Sequence, residues 1–337
     1  MAFYRFREAV IGVKAETSPG STATIAATDC NFLAYDVSVE TSREISSRSP
    51  IRDSLSPVIS AGKVSATASF RAEFVTSGNE PTTGTLPGTA VALSLCGLIP
   101  NTGGTDGVFE PGIPGEQDDQ DDDIETLGSV TTGTIAIWHE GQRIQLKGCL
   151  GSVSLSCTHG EPIMLDFTFV GVMDGHSTTA APTGIVYSGS APSVMGGAGT
   201  SFEIGGVAGA LTSFNLDFNT EVALPTDGTS TTGLPSGAYA MPMGRTVSGS
   251  CDPLMDAHDT RNDIANLTAG TAQEIKLVLG NVSGNTWNMV TLKANDALLS
   301  KVSTSESDGA VRMSIDFSVG SLAGDTEIDL TISDPAD

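Results

Sequence analysis

The triplet Trp138-His139-Glu140 begins as a zinc-protease helix does, with a histidine and a glutamate placed so that a second histidine at position 143 would share the metal-facing side. Arg143 stands there instead, and the neighbouring residues alternate as a strand does, so that ligand face cannot form. His139 therefore reads as a strand-end surface residue. His159, His176 and His258 fall at turn, linker and helix positions, none with a second histidine or cysteine at metal spacing. Serine is abundant, yet no Gly-x-Ser-x-Gly elbow occurs. The cluster Gly196-Gly197-Ala198-Gly199 lacks the lysine of a phosphate loop and predicts a flexible loop. The sharpest local feature is Glu116-Gln117-Asp118-Asp119-Gln120-Asp121-Asp122-Asp123-Ile124-Glu125, whose carboxylates are the hard oxygens calcium prefers. If Asp119, Asp121 and Asp123 were the first ligands of an EF-hand, the turn glycine would fall on Ile124, so the pattern fails. From Asn101 to Gly128 there are nine acids and no base, the composition of a solvated, self-repelling loop. The expectation is no catalytic group, no cofactor and no metal, with Asp119, Asp121 and Asp123 the only metal candidates.

The five cysteines, Cys30, Cys96, Cys149, Cys157 and Cys251, are odd in number and lack Cys-x-x-Cys spacing. They predict buried free thiols in a reducing cytosol rather than a disulfide framework. The formal net charge of −24 repels phosphate and argues against nucleic-acid binding. The first residues lack a signal-peptide apolar core, and no stretch of eighteen uninterrupted apolar residues follows, so neither secretion by that route nor a membrane span is expected.

The elements that would position these groups are strands. Val64, Ala66, Ala68, Phe70, Ala72 and Phe74 alternate with small or polar residues, and the same pattern recurs at Ile163–Phe169, Val311–Val319 and Ile328–Ile332. Turn residues such as His159-Gly160 and Asp308-Gly309 separate them. Helical signals are few. Thr89 is placed to cap a turn carrying Val91 and Leu95, closed by Gly97 and Pro100; Asp252-Pro253 predicts a second helix reaching Leu267, with Gly270 beyond.

Asp174 to Gly184 is small, polar and broken by proline, which divides the chain into residues 1–175, containing the acidic loop 101–128, and residues 176–337. Each part carries a net −12. Val37-Ser38-Val39 is echoed by Leu216-Asp217-Phe218, and Leu165-Asp166-Phe167 by Ile315-Asp316-Phe317. The two offsets differ by about the length of the acidic loop, so a duplicated β domain with an insertion in its first copy is the economical reading.

With these residues in view, the first half resembles the tail tube proteins of long, non-contractile bacteriophage tails. The resemblance rests on Gly12 to Gly20 before a polar loop, Val37 to Arg43, the long strand Lys63 to Val75, the helix end Leu93 to Leu98, and the closing hairpin Ile144 to Gly171. It implies an all-β fold with minor helix, a β-sandwich whose inner strands join those of neighbours into a barrel around a channel. It further implies a structural virion protein, not an enzyme, made in the host bacterial cytoplasm and placed in the virion tail. Two tube domains per chain would give rings of three chains, and one would give rings of six. The implied partners are further copies of the chain, the tail terminator and distal tail proteins, and the tape measure protein and DNA in the lumen, without tight binding and without membrane contact. The alternative is a virion decoration or surface adhesin module unable to form a tube. A calcium-dependent lyase or hydrolase on a β scaffold ranks behind both.

Overall fold

The computed structural model describes residues 9–49, 56–79, 81, 85–101, 107–114, 131–187, 192–197, 199–224, 239–257, 260–280, 287–307, 309–320 and 326–333. In the first half the strands are β1 (Val10–Ala15), β2 (Ala34–Arg48), β3 (Val58–Glu73), β4 (Leu98–Asn101), β5 (Gly107–Pro111), β6 (Gly133–His139), β7 (Gln142–Thr158) and β8 (Met164–Thr178), with helix α1 at Ala90–Ser94. In the second they are β9 (Ser201–Ile204), β10 (Val207–Ala208), β11 (Leu211–Ala223), β12 (Met241–Pro253), β13 (Gln273–Leu279), β14 (Met289–Ser307), β15 (Ala310–Val319) and β16 (Ile328–Ser333), with helix α2 at Asp263–Ala269. All join one open, branched sheet whose main run is β2-β3-β8-β7-β11-β12-β15-β14. The all-β expectation with minor helix therefore holds.

The run reads as the same four-strand order met twice. In the first unit β2 pairs β3, β3 pairs β8, and β8 pairs β7, which β6 flanks, with β1 beyond it. In the second, β11 pairs β12, β12 pairs β15, and β15 pairs β14, which β13 flanks, with β9 beyond it. Asp166 stands opposite Ser154 and Asp316 opposite Lys301. The long β8 of the first unit corresponds to two pieces, β15 and β16, both paired with β14.

Alternation decides what is buried. One face of the run carries Phe70, Phe167, Phe169, Leu155, Leu216, Phe218, Ile315 and Phe317, all 2% exposed or less, in a single core that extends through both halves. The Phe70 and Phe167 rings meet at 5.2 Å, and Phe167 and Phe169 at 5.8 Å. Two glycines permit close approach of backbone and ring. A Cβ at Gly249 would lie 2.4 Å from Phe317 Cζ and 2.6 Å from the Asn215 carbonyl; one at Gly151 would lie 2.4 Å from the Thr168 carbonyl.

Several local expectations are corrected. Asp252 and Pro253 end β12 rather than opening a helix, because Pro253 pairs Leu211 and the Asp252 carboxylate accepts a hydrogen bond from Ser213 Oγ at 2.6 Å. Helix α2 begins some ten residues later, where Asn262 Oδ1 accepts from the Ala265 N–H at 2.9 Å; Gly270 closes it in the left-handed conformation, as expected. Thr89 is the N-cap residue of α1, but its hydroxyl makes no capping bond. The acidic stretch is not all loop, since β5 lies within it and pairs both β4 and β16. The segment read as linker starts as strand: Ser177 and Thr178 still pair with Arg143 and Gln142.

Candidate assembly interface

The opposite face of the main run is small and polar. It carries Ser65, Thr67 and Ser69 on β3, Asp166 and Thr168 on β8, and Ser152, Ser154 and Ser156 on β7. Across the join it continues with Asn215, Asp217 and Asn219 on β11, Thr246, Ser248 and Ser250 on β12, and Ser314, Asp316 and Ser318 on β15. These residues stay partly exposed because most of what projects on their side of the pleat is short and polar, with Met164, Val170 and Leu298 as apolar exceptions. Arg71 Nε lies 2.7 Å from Asp166 Oδ1, Lys301 Nζ lies 3.5 Å from Asp316 Oδ2, and Ser154 Oγ donates to Asp217 Oδ1 at 2.8 Å. A shallow concavity of about 370 Å³ lies here, lined by Ser152, Ser154, Asp166, Thr168, Asp217 and Thr246 among others.

The two ends of the run are open. Among the described residues β2 pairs only β3. β14 is flanked on both sides as far as Ala297; beyond it, through Ser307, its pairing partner among the described residues is β15 alone. Open sheet borders are templates for strand addition. Burial agrees, since residues 40–48 of β2 and most of residues 300–306 of β14 are exposed.

The halves are joined firmly. β7 pairs β11 from Val153–Phe218 to Thr158–Ser213, and β5 pairs β16. The Thr220 hydroxyl donates to the Cys96 carbonyl at 2.7 Å. Arg245 donates to the Gly112 carbonyl at 3.1 Å and to Glu327 Oε1 at 2.8 Å, with its guanidinium 5.4 Å from the centre of the Phe218 ring. Within the first half, the buried carboxylate of Glu16 accepts from the Thr132 and Thr134 hydroxyls at 2.6 and 2.8 Å and from the Gly148 N–H at 2.9 Å. In the second half a buried pair, Arg261 Nε to Asp263 Oδ2 at 2.9 Å, sits at the start of α2. Neither has a sequence motif that marks it as chemistry; Glu16 figures in the sequence only within the run Gly12 to Gly20.

The residues singled out for chemistry do not converge. His139 ends β6, with its pKa lowered by partial burial. His176 lies on β8 opposite Ile144, not in a linker, and His159 sits in the β7–β8 turn. His258, Asp119, Asp121 and Asp123 lie outside the described residues. Among the described residues no three His, Cys, Asp or Glu side chains gather as a metal site, and no helix is long and apolar enough to cross a membrane. The glycine cluster is packed rather than loose at its start: the Gly160 N–H donates to the Met195 carbonyl at 2.8 Å, the Met195 N–H donates to the Glu161 carbonyl at 3.0 Å, and a Cβ on Gly196 would strike the His159 ring. All five cysteines are buried and free; burial raises Cys30 to about 11 and Cys157 to about 12, and raises Cys96 and Cys149 well above the ordinary value.

What stands out is a β-sheet building block with two open borders and one polar face. The chain belongs to the phage tail tube protein family, whose model matches residues 7–319, both halves together. It is a structural component of the phage tail. The likeness noticed in the first half thus extends through the second. No curated protein matches the chain at a significant level.

Proposed function

We propose that copies of this chain join border to border into rings that stack into a hollow tail tube, through which DNA leaves the particle. The observation that carries this is the main run of eight strands, apolar on one face, polar on the other and open at both ends. The repeated four-strand order supports two tandem tube domains, residues 1–175 and 176–337, and hence three chains per ring. A head-to-tail contact that closes on itself makes a ring, and completing each open border satisfies backbone groups while removing an aggregation hazard.

In this arrangement the polar face lines the channel. Its short hydroxyl side chains and carboxylates offer DNA neither a stacking surface nor the lysine and arginine contacts that release counterions. Asp166 and Asp316 are paired with bases, so the wall is chiefly hydroxyl with a modest acidic excess rather than strongly acidic. The tape measure protein would share this lumen, and the tail terminator and distal tail proteins would cap the tube; synthesis would take place in the bacterial cytoplasm.

Negative-stain electron microscopy of the purified chain tests the proposal. Hollow filaments of uniform width are expected at high concentration or with an initiator complex. A chain that stays monomeric under both conditions would overturn it in favour of a decoration module.

A further inference from the structure

We infer that neighbouring chains are joined by antiparallel pairing of the outer border of β14 with β2 of the next copy, with Lys301 opposite Ser38, in the register that β7 and β11 adopt inside one chain. The inference rests on the proposal that chains close into rings, and adds which strands meet and where.

The internal join shows what a completed border looks like. From Val153 to Thr158, β7 holds β8 on one side and β11 on the other. The corresponding part of β14 holds β15 on one side and is open on the other, while β2, which occupies the place of β11, has β3 on one side and is open on the other. The outer borders are therefore the two halves of a second join with the same parts.

Strand pairing sets the correspondence residue by residue. Asp166 faces Ser154 and Asp316 faces Lys301, so Lys301 takes the place of Ser154. On the other strand, Val39 faces Ala68, which faces Phe169, while Phe218 faces Val247, which faces Val319. Phe169 and Val319 lie at the same distance beyond Asp166 and Asp316, so Val39 takes the place of Phe218 and Ser38 that of Asp217. In the internal join Asp217 faces Ser154, with a 2.8 Å hydrogen bond. Ser38 therefore faces Lys301.

Burial and charge agree. At the internal join Leu155, Cys157, Phe214 and Phe218 are 3% exposed or less. Their counterparts at the open borders are less covered: following the same pairings past the bulge in β2, Ala34 takes the place of Phe214, and Val302, Val39 and Ala34 are half-buried while Thr304 is exposed. Lys301, 67% exposed, lies 3.5 Å from Asp316. Across the new join Glu40, on the same face as Ser38, sits one diagonal step away, within reach of a long side chain.

Directly opposed residues of antiparallel strands have the Cα separation a disulfide needs. The test is the full chain carrying both Ser38→Cys and Lys301→Cys, oxidised after assembly and run on a non-reducing gel, with Ser38→Cys plus Ser303→Cys as the displaced pair. The expected result is loss of the monomer band for the first pair, with a ladder ending at three linked chains, and little linkage for the displaced pair. Hydrogen exchange on the unaltered chain gives a second readout: amides of residues 300–306 and 37–41 should gain protection on assembly. If tubes are seen but the displaced pair links better, or protection is gained elsewhere, the register falls and the tube proposal stands. If the unaltered chain forms no ring or tube, both fall.

Discussion

Replacing Glu16 by alanine removes the one acceptor shared by three donors, Thr132 just before β6, Thr134 within it and the Gly148 N–H of β7. The carboxylate is 2% exposed and accepts at 2.6, 2.8 and 2.9 Å. The threonine hydroxyls can rotate toward other acceptors, but the Gly148 N–H cannot, because the backbone fixes its direction. Hydrogen bonds to a charged group contribute about 1.5–3 kcal/mol each. Removing the buried charge also removes its desolvation cost, so the net loss is well below the sum, about 3–5 kcal/mol. Glu16→Gln keeps the shape but turns an amide donor toward one of the three donors, and should lose about 2 kcal/mol. Urea unfolding followed by tryptophan fluorescence, with Trp138 on the adjacent β6 and Trp287 in the second half as reporters, measures both. A Glu16→Ala chain within about 1 kcal/mol of the unaltered one would refute the view that this carboxylate ties β1 to β6 and β7.

Phe167→Ala should cost about 3–5 kcal/mol by leaving a cavity between the Phe70 and Phe169 rings, measured by the same unfolding assay. Gly249→Val should prevent native pairing of β11, β12 and β15, seen as loss of soluble folded chain by circular dichroism, since the new side chain meets both the Phe317 ring and the Asn215 carbonyl. Cys30 and Cys157 keep their protons to about 11 and about 12 in the folded chain, against 9.0 ordinarily. Ionisation therefore begins first in the unfolded chain. The stability these thiols contribute is fully present below pH 9, and the urea midpoint should fall as the pH rises from there toward 11–12, less steeply when both are replaced by alanine. Native chain at pH 8 should react with a thiol reagent far more slowly than urea-unfolded chain, in which all five cysteines are open.

Most of the sheet was legible because alternation is a direct consequence of strand geometry: where Phe70, Phe167 or Ile315 recur every second residue, one face must be buried. The echoed residues Val37, Leu216, Leu165 and Ile315 all lie in the one buried core. The start of α2 was misread because Asp-Pro is a good helix opening by local preference, whereas tertiary pairing of Pro253 with Leu211 overrode it. Strand β5 was hidden by its surroundings, since Gly107–Pro111 is short and followed by acids, and its partner β16 is more than two hundred residues away. The packing of Met195 and Gly196 onto the His159 turn had no local signal at all. As for the assembly interface, the polar face could be read from the serines and threonines between the core residues. Which borders stay open could not, because that depends on where each neighbour stops.

The β7–β11 join has one further implication. Its two strands are tethered on one polypeptide, so they find one another at any dilution, whereas a join between separate chains must wait for an encounter. The same fault, a proline or a bulky side chain at matching places, should thus act in two ways: within the chain it spoils folding regardless of concentration, and at the outer border it leaves a sound monomer that polymerises only when crowded.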